Sequence, residues 1–284
     1  MVATGLDDLV LSHDRRGMTA LRPYLPLEYC RRAAGLVHQN LERVLIATGF
    51  FVTRINAPET DGPPGALALG RAVTALGGQV VYVSDRFTTP LLNYYSVGAD
   101  VIDFPICDAV ESRAAAHLLL EQYRPSLLIA VERCGVTARG QYRNSRGEEI
   151  SAYTARLDLL FDPAIPSLGI GDGGNEIGMG KLARVIPTIP GLPAEPCITA
   201  TSELVIASTS NWGAYGVAAA LSALAGRCLL PSPSAEEHLL RSLHDQGCYD
   251  GTCGEPTCGV DGFTLSENSA LLGQLHNWLC EVGE

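Results

Sequence analysis

Short apolar runs alternate with longer amphipathic segments along most of the chain. Apolar runs of about five residues, rich in branched side chains, are typical of buried strands, whereas apolar positions three and four residues apart are typical of helices. The pattern predicts six strands, at residues 43–48, 79–84, 100–104, 126–131, 166–171 and 203–207. It predicts helices between them at residues 64–76, 109–123, 151–161, 175–183 and 212–225.

Alternation of strands and helices predicts the fold class. Such alternation is typical of an α/β fold, with a mostly parallel sheet and helices on both faces, which is a three-layer α/β/α sandwich. Residues 1–40 form a predicted N-terminal helical segment. Residues 234–284 form a predicted C-terminal region with helices at 235–245 and 265–282 and a loop between them. Because no repeat or long linker interrupts residues 1–284, we expect a single domain.

Composition narrows the classes of partner. The 284 residues are 46% hydrophobic, enough for a large core, and carry a formal net charge of −11. A strongly acidic chain disfavours nucleic acids and anionic membranes, so we expect a small-molecule partner. No apolar run reaches the length of a membrane span and no leader-like start is present, which predicts a cytoplasmic protein. A homo-oligomer is compatible with this composition.

Nine cysteines are scattered along the chain. Their number is odd, and no two show the C-x-x-C spacing of a redox or zinc motif. We therefore expect reduced thiols without a catalytic role. A zinc site at His244, Cys248, Cys253 and Cys258 is disfavoured because their spacing is looser than in zinc knuckles.

The most informative loop is residues 169–181, which follows a predicted strand. Six of its thirteen residues are glycine, yet it also carries Asp172, Asn175, Glu176 and Lys181. Glycines let a backbone approach a ligand closely. Two carboxylates in one turn suit a metal ion, an ammonium group or acid–base chemistry better than a phosphate. The loop has the G-x-G-x-x-G spacing of dinucleotide sites, but the proline-rich segment after it disfavours that interpretation.

Polar side chains follow several predicted strands, at the edge where open parallel sheets bind ligands. Glu59 and Asp61 follow the first strand, Arg133 follows the fourth, and Asp172 and Glu176 follow the fifth. The four carboxylates predict a site for a hard divalent cation. Two alternatives stay open. Asp61 can instead cap a helix, and Arg133 can instead pair with Glu132 or another acid of this edge.

Several motifs together resemble the D-glutamate cyclase family. They are Pro58–Gly65, Val131–Arg133 and Gly169–Lys181, with Asp14–Gly17 near the start and Asp250–Thr252 and Val260–Gly262 near the end. The resemblance covers nearly the whole chain. It implies a hydro-lyase that converts D-glutamate, or a similar acidic amino acid, to its cyclic product, 5-oxo-D-proline in the case of D-glutamate, with loss of water. It also implies an associated divalent cation, manganese or magnesium.

The chemistry of such a reaction assigns expected roles. The substrate amine needs a general base and the departing oxygen needs an acid or a metal, which points to Glu59, Asp172 and Glu176 as catalytic residues. Expected metal ligands are Glu59, Asp61, Asp172 and Glu176. The expected substrate-binding residues are Arg133, Gly173, Gly174, Asn175 and Lys181.

Two other function classes remain open from the sequence. A metal-dependent phosphohydrolase would also place acids at strand ends. A non-catalytic sensor of a nucleotide or other small molecule would bind its ligand without forming product.

Overall fold

A six-stranded sheet forms the centre of the fold in the computed structural model, which describes residues 5–283. Every neighbouring pair of its strands is parallel. The strands are β1 (Arg43–Thr48), β4 (Gln79–Ser84), β5 (Asp100–Asp103), β6 (Leu127–Val131), β7 (Ser167–Gly171) and β8 (Glu203–Ile206). A small antiparallel pair, β2 (Phe51–Val52) and β3 (Ala57–Pro58), follows β1.

The strand order is β5-β4-β1-β6-β7-β8. The chain therefore builds outward from β1 to β5 and then returns to add β6 on the other side of β1. In open parallel sheets, ligands bind beyond the carboxyl ends of the strands at such a reversal. Thr48, the last residue of β1, lies opposite Val131, the last residue of β6. The segments that follow β1 and β6 therefore leave the sheet side by side.

Helices cover both faces of the sheet, as the alternation along β1 shows. Val44 and Ile46 belong to one apolar cluster, and Leu45 and Ala47 belong to the other. The three-layer α/β/α prediction is thus confirmed. The helices are α1 (Leu6–Val10), α2 (Tyr29–Gln39), α3 (Pro63–Ala75), α4 (Thr89–Tyr95), α5 (Ala109–Tyr123), α6 (Ser210–Ala225), α7 (Pro233–Asp245) and α8 (Leu265–Gly283).

Two predicted helices are wrong. Residues 151–161 form two separate 3₁₀ turns, Ser151–Tyr153 and Leu157–Leu160. Leu157 and Leu160 are buried three residues apart, which suits a 3₁₀ turn of three residues as well as it suits an α-helix. The periodicity therefore could not separate the two structures.

The other wrong helix is residues 175–183, of which only Gly180–Leu182 is helical, as a 3₁₀ turn. Gly178 has φ +108°, a conformation that interrupts any helix at this point. The segment instead packs against β7: a Cβ built on Gly169 would lie 2.5 Å from the Ile177 carbonyl oxygen. Close packing of backbone on backbone, rather than helix formation, explains these glycines.

Two further findings concern the whole described chain. Within residues 5–283, no helix is both long and apolar enough to cross a membrane. All nine cysteines are free thiols, as the sequence predicts.

Candidate active site

A polar cleft lies where the segments after β1, β6 and β7 meet. Three further segments form its walls. Two are distant in sequence, namely the N-terminal loop before α2 and the loop between α7 and α8. The other is an arm, residues 134–150, that extends from β6. The cleft is lined by Arg16, Phe50, Val52, Thr53, Arg54, Glu59, Glu132, Asn144, Ser145, Arg146, Glu148, Asn175, Gly251 and Thr252.

Glu59 is a buried carboxyl that opens into the cleft. The loop between α7 and α8 closes over it, and only a glycine fits at the point of closest approach. A Cβ built on Gly251 would lie 2.0 Å from Glu59 Oε2. Burial raises the pKa of Glu59 well above its usual range, and the neighbouring charge of Glu132 raises that pKa further.

Glu132 is the second carboxyl that lines the cleft, and its backbone is strained. It has φ +45°, a left-handed conformation that costs free energy in a residue with a side chain and that is concentrated at functional sites. The Ser210 hydroxyl donates to Glu132 Oε2 at 2.6 Å. Burial raises the pKa of Glu132 well above its usual range, with Glu176 as the largest neighbouring charge. Repulsion between buried carboxyls favours the protonated form of at least one of them.

Arg16 is the cation at the floor of the cleft. Its two terminal nitrogens lie 2.7 Å from Asp172 Oδ1 and 2.7 Å from Asp261 Oδ1. Burial raises the pKa of Asp172 well above its usual range, and the Arg16 charge opposes that rise. Among residues 5–283, the second oxygens of Asp172 and Asp261 are buried and have no hydrogen-bond partner. Unpaired buried oxygens of this kind are ready ligands for a cation.

Carboxylate oxygens around Asp172 form two groups that could hold a metal ion. The members of each group lie within 4.8 Å of one another. The groups are Asp61 with Asp172 and Asp261, and Glu132 with Asp172 and Glu176. The structure therefore brings together three of the four predicted metal ligands, adds Glu132 and Asp261, and leaves Glu59 outside both groups.

Asp61 caps a helix, but not the helix that follows it. Its carboxylate accepts hydrogen bonds from the backbone N–H groups of Ser210 at 2.7 Å and Asn211 at 2.8 Å, which are the first residues of α6. The Asn211 side-chain oxygen in turn accepts from Gly62 N and Gly65 N. This exchange fixes the turn that carries Asp61. Burial raises the pKa of Asp61 to about 7.

Glu176 shapes the glycine-rich loop from within. Its carboxylate accepts hydrogen bonds from Gly173 N at 2.6 Å and Gly174 N at 2.7 Å. Two of the N–H groups expected to bind substrate are therefore already bonded to the protein. Of the loop residues predicted for that role, Asn175 lines the cleft.

Arg133 lies outside the cleft lining. Its guanidinium is 1% exposed, pairs with Asp85 at 2.7 Å, and donates to the carbonyl oxygens of Gly49 and Ala155 at 2.8 Å each. This geometry matches the alternative that the sequence left open, in which Arg133 forms an ion pair with an acid at the carboxyl ends of the strands. The structure thus separates the neighbouring Glu132 and Arg133, placing the first in the cleft lining and the second in the protein interior.

Lys181 lies at the end of the strands opposite the cleft. Its ammonium group is exposed and donates to the Ser202 carbonyl oxygen, immediately before β8 begins. This position is the amino end of the strands, whereas the cleft is at their carboxyl ends. The cause is the path of the chain after Asn175, which runs back along β7 instead of forming a helix.

Sequence reasoning assigned no role to Arg16, Glu132 or Asp261. Each belongs to a motif that carries the family resemblance, so a signal was present. The sequence does not show that these motifs lie close together, since Arg16 and Asp261 come from opposite ends of the chain. Acids with raised pKa values that line a cleft at the switch point of a doubly wound sheet are typical of enzyme sites for small molecules.

Comparison with known proteins makes the class more specific. The family model described as D-glutamate cyclase-like, C-terminal, matches residues 6–276, so this chain belongs to the D-glutamate cyclase-like family. A curated relative is the human protein named "D-glutamate cyclase, mitochondrial". It is 34% identical over 210 residues, which cover 66% of this chain and 34% of that protein.

The match has a limited extent, because this chain spans about a third of the length of the human relative. The name of the human protein assigns that protein, not this chain, to mitochondria. The cytoplasmic location expected from the sequence stays a prediction.

Proposed function

We propose that this protein is a hydro-lyase that cyclises D-glutamate to 5-oxo-D-proline with loss of water. The observation that supports this most directly is the pair of buried carboxyls, Glu59 and Glu132, that line one cleft and whose pKa values are both raised, chiefly by burial. Membership of the D-glutamate cyclase-like family and the name of the human relative support the choice of this reaction and substrate.

The two carboxyls suit a reaction that moves protons from nitrogen to oxygen. The substrate enters with an ammonium group and a side-chain carboxylate. The amine nitrogen forms a bond to the side-chain carboxyl carbon, and one carbon–oxygen bond of that carboxyl group breaks. The nitrogen gives up two protons and the departing oxygen takes up two, so that water leaves. A carboxylate and a carboxylic acid in one cleft can accept each proton from nitrogen and deliver one to oxygen.

Arg16 provides positive charge where negative charge develops. Attack of nitrogen on the carboxyl carbon places extra negative charge on its oxygens. Arg16 lines the cleft and is held in place by Asp172 and Asp261, so its charge needs little reorganisation during the reaction. In this proposal Asp172 acts by orienting Arg16, and Glu176 acts by shaping the loop.

The acidic cluster fits a divalent cation. Its donors are carboxylate oxygens, which magnesium and manganese prefer, and two of them are buried and unpaired within the described part of the chain. Asp61, Asp172 and Asp261 would hold the ion. A bound cation would supply Lewis-acid polarisation of a substrate oxygen.

Single replacements of the paired carboxyls test the proposal. Glu59→Gln and Glu132→Gln keep the shape of each side chain and remove its proton transfer. Each should lower kcat for D-glutamate cyclisation roughly 10²–10⁴-fold, the usual contribution of a general acid or base. Glu148→Gln is the matched control, because Glu148 also lines the cleft but is exposed at its rim. Full activity of both Gln variants would remove the pair from the mechanism.

A further inference from the structure

Three arginines line the cleft, and they differ in whether their charge is already paired with carboxylates of the protein. Arg16 is bonded to two carboxylates, and the proposed function already assigns its charge to the reacting carboxyl group. Arg54 and Arg146 are exposed at the mouth. The two basic residues that the sequence suggested for binding substrate, Arg133 and Lys181, are absent from the cleft lining within residues 5–283. The mouth arginines are therefore the available cations.

Arg54 is held by the loop between α7 and α8. Its Nη2 donates to the Thr252 carbonyl oxygen at 2.7 Å. Gly254, with φ +73°, packs against the guanidinium, since a Cβ built there would lie 2.9 Å from Arg54 Cζ. This contact orients the group while its other N–H donors make no hydrogen bond to the described residues. A fixed guanidinium with unused donors is suited to a carboxylate.

Arg146 sits at the tip of the arm formed by residues 134–150. The Asn144 side-chain oxygen accepts from Arg146 N at 3.1 Å and from Glu148 N at 2.9 Å. Gly147 N donates to the Asn144 carbonyl oxygen at 2.9 Å, with Gly147 at φ +82°. The tip is thus a closed turn built around Asn144, and it presents Arg146 to the cleft opposite the Arg54 loop.

We infer that Arg54 and Arg146 bind the carboxylate of the substrate that does not react. This inference rests on the proposed function. Cyclisation consumes the side-chain carboxylate and the amine, and the α-carboxylate passes unchanged into the product. It needs a cation away from Glu59 and Glu132, because those groups must reach the reacting atoms. The two arginines at the mouth make the site specific for amino acids with a second carboxylate.

The test compares D-glutamate with 4-aminobutyrate, which can form the same five-membered lactam but lacks the α-carboxylate. The wild-type protein should prefer D-glutamate strongly. In Arg54→Gln and Arg146→Gln, KM for D-glutamate should rise about tenfold each, the scale of a hydrogen bond to a charged group, with kcat little changed. Turnover of 4-aminobutyrate should not fall, so the preference should shrink. Arg139→Gln is the matched control, because Arg139 is on the same arm but pairs with Glu195.

Binding separates this inference from the proposed reaction. Calorimetric titration with glutarate and with 5-oxo-D-proline needs no turnover. The double variant Arg54→Gln/Arg146→Gln should bind both at least tenfold more weakly than the Arg139→Gln control. If no variant or wild-type protein cyclises D-glutamate, the proposed reaction fails while glutarate binding still decides the role of the arginines. Equal glutarate binding in the double variant and the control, or an unchanged KM for D-glutamate, would overturn the inference.

Discussion

Arg16 donates to Asp172 across 2.7 Å, although 156 residues separate the two along the chain. The contact ties the N-terminal loop to the glycine-rich loop after β7. A second nitrogen of Arg16 reaches Asp261 in the loop before α8 at 2.7 Å. One guanidinium thus joins three distant segments at the floor of the cleft.

Removing the Arg16 charge should destabilise the fold. In Arg16→Gln, Asp172 and Asp261 lose their shared counter-ion while they remain buried. The expected loss in free energy of unfolding is about 3 kcal/mol, the low end for breaking a buried ion pair, because the Arg16 side chain is 25% exposed. Urea denaturation at neutral pH measures it. Arg241→Gln, which removes an exposed pair with Glu237, should cost less than about 1 kcal/mol. Equal losses in the two variants would contradict a structural role for Arg16.

Most of the sheet could be predicted from local pattern. All six predicted strands are present, with ends that differ by at most one residue, because buried parallel strands are short apolar runs. The segments after the strands were harder. Residues 175–183 have helical spacing, yet Gly178 and the packing against Gly169 decide their path, and neither effect is visible in periodicity.

The candidate site, like the fold, could be predicted from the sequence only in part. Its position at the carboxyl ends of the strands follows from topology, so the acids after β1 and β7 could be anticipated as a group. Individual roles could not. The sequence pattern does not show whether a polar side chain at a strand end faces the cleft or the interior, and the adjacent Glu132 and Arg133 differ in this. Arg16 and Asp261 belong to the site because segments near the two ends of the chain come together in the fold.

Arg133 should contribute to stability rather than to substrate affinity. A substrate-binding Arg133, as expected from the sequence, would give a higher KM in Arg133→Lys, whereas the buried pair with Asp85 predicts a different result. Lysine cannot reproduce the hydrogen bonds of the guanidinium to Asp85, Gly49 and Ala155. We expect the free energy of unfolding to fall by about 3 kcal/mol with KM unchanged. A raised KM at wild-type stability would restore the role expected from the sequence.

Glu236 should give the fold a pH dependence that is independent of the cleft. It is buried between α6 and α7, and the Tyr215 hydroxyl donates to it. Burial raises the pKa of Glu236 from 4.5 to about 7. The folded state therefore holds a proton that the unfolded state releases, so the contribution to stability is full below pH 4.5 and is lost as the pH rises to about 7.

Glu236→Gln should remove this dependence. Relative to wild type, the variant should gain stability between the two pKa values, at about 1.4 kcal/mol per pH unit. Chemical denaturation at a series of pH values measures the slope. Glu237→Gln, in the next position but only partly buried and paired with Arg241, should leave the slope unchanged. Parallel curves for wild type and Glu236→Gln would show that Glu236 titrates normally.

Manganese should bind at the acidic cluster. Asp172→Asn and Asp261→Asn each remove an oxygen that is unpaired among residues 5–283, so each should weaken manganese binding at least tenfold. Electron paramagnetic resonance of free manganese reports binding without reference to activity. Asp162→Asn, an exposed acid, should bind as wild type does. Undiminished binding in both cleft variants would place the ion elsewhere.

Chiral analysis of the product tests the central claim most directly. The purified protein is incubated with D-glutamate or L-glutamate and manganese, and Glu132→Gln serves as the control for background cyclisation. We predict that D-glutamate is converted to 5-oxo-D-proline, and that L-glutamate and the Glu132→Gln reaction give only the background amount. Formation of 5-oxoproline from D-glutamate at the same slow rate with wild-type protein, Glu132→Gln and buffer would contradict the proposed function.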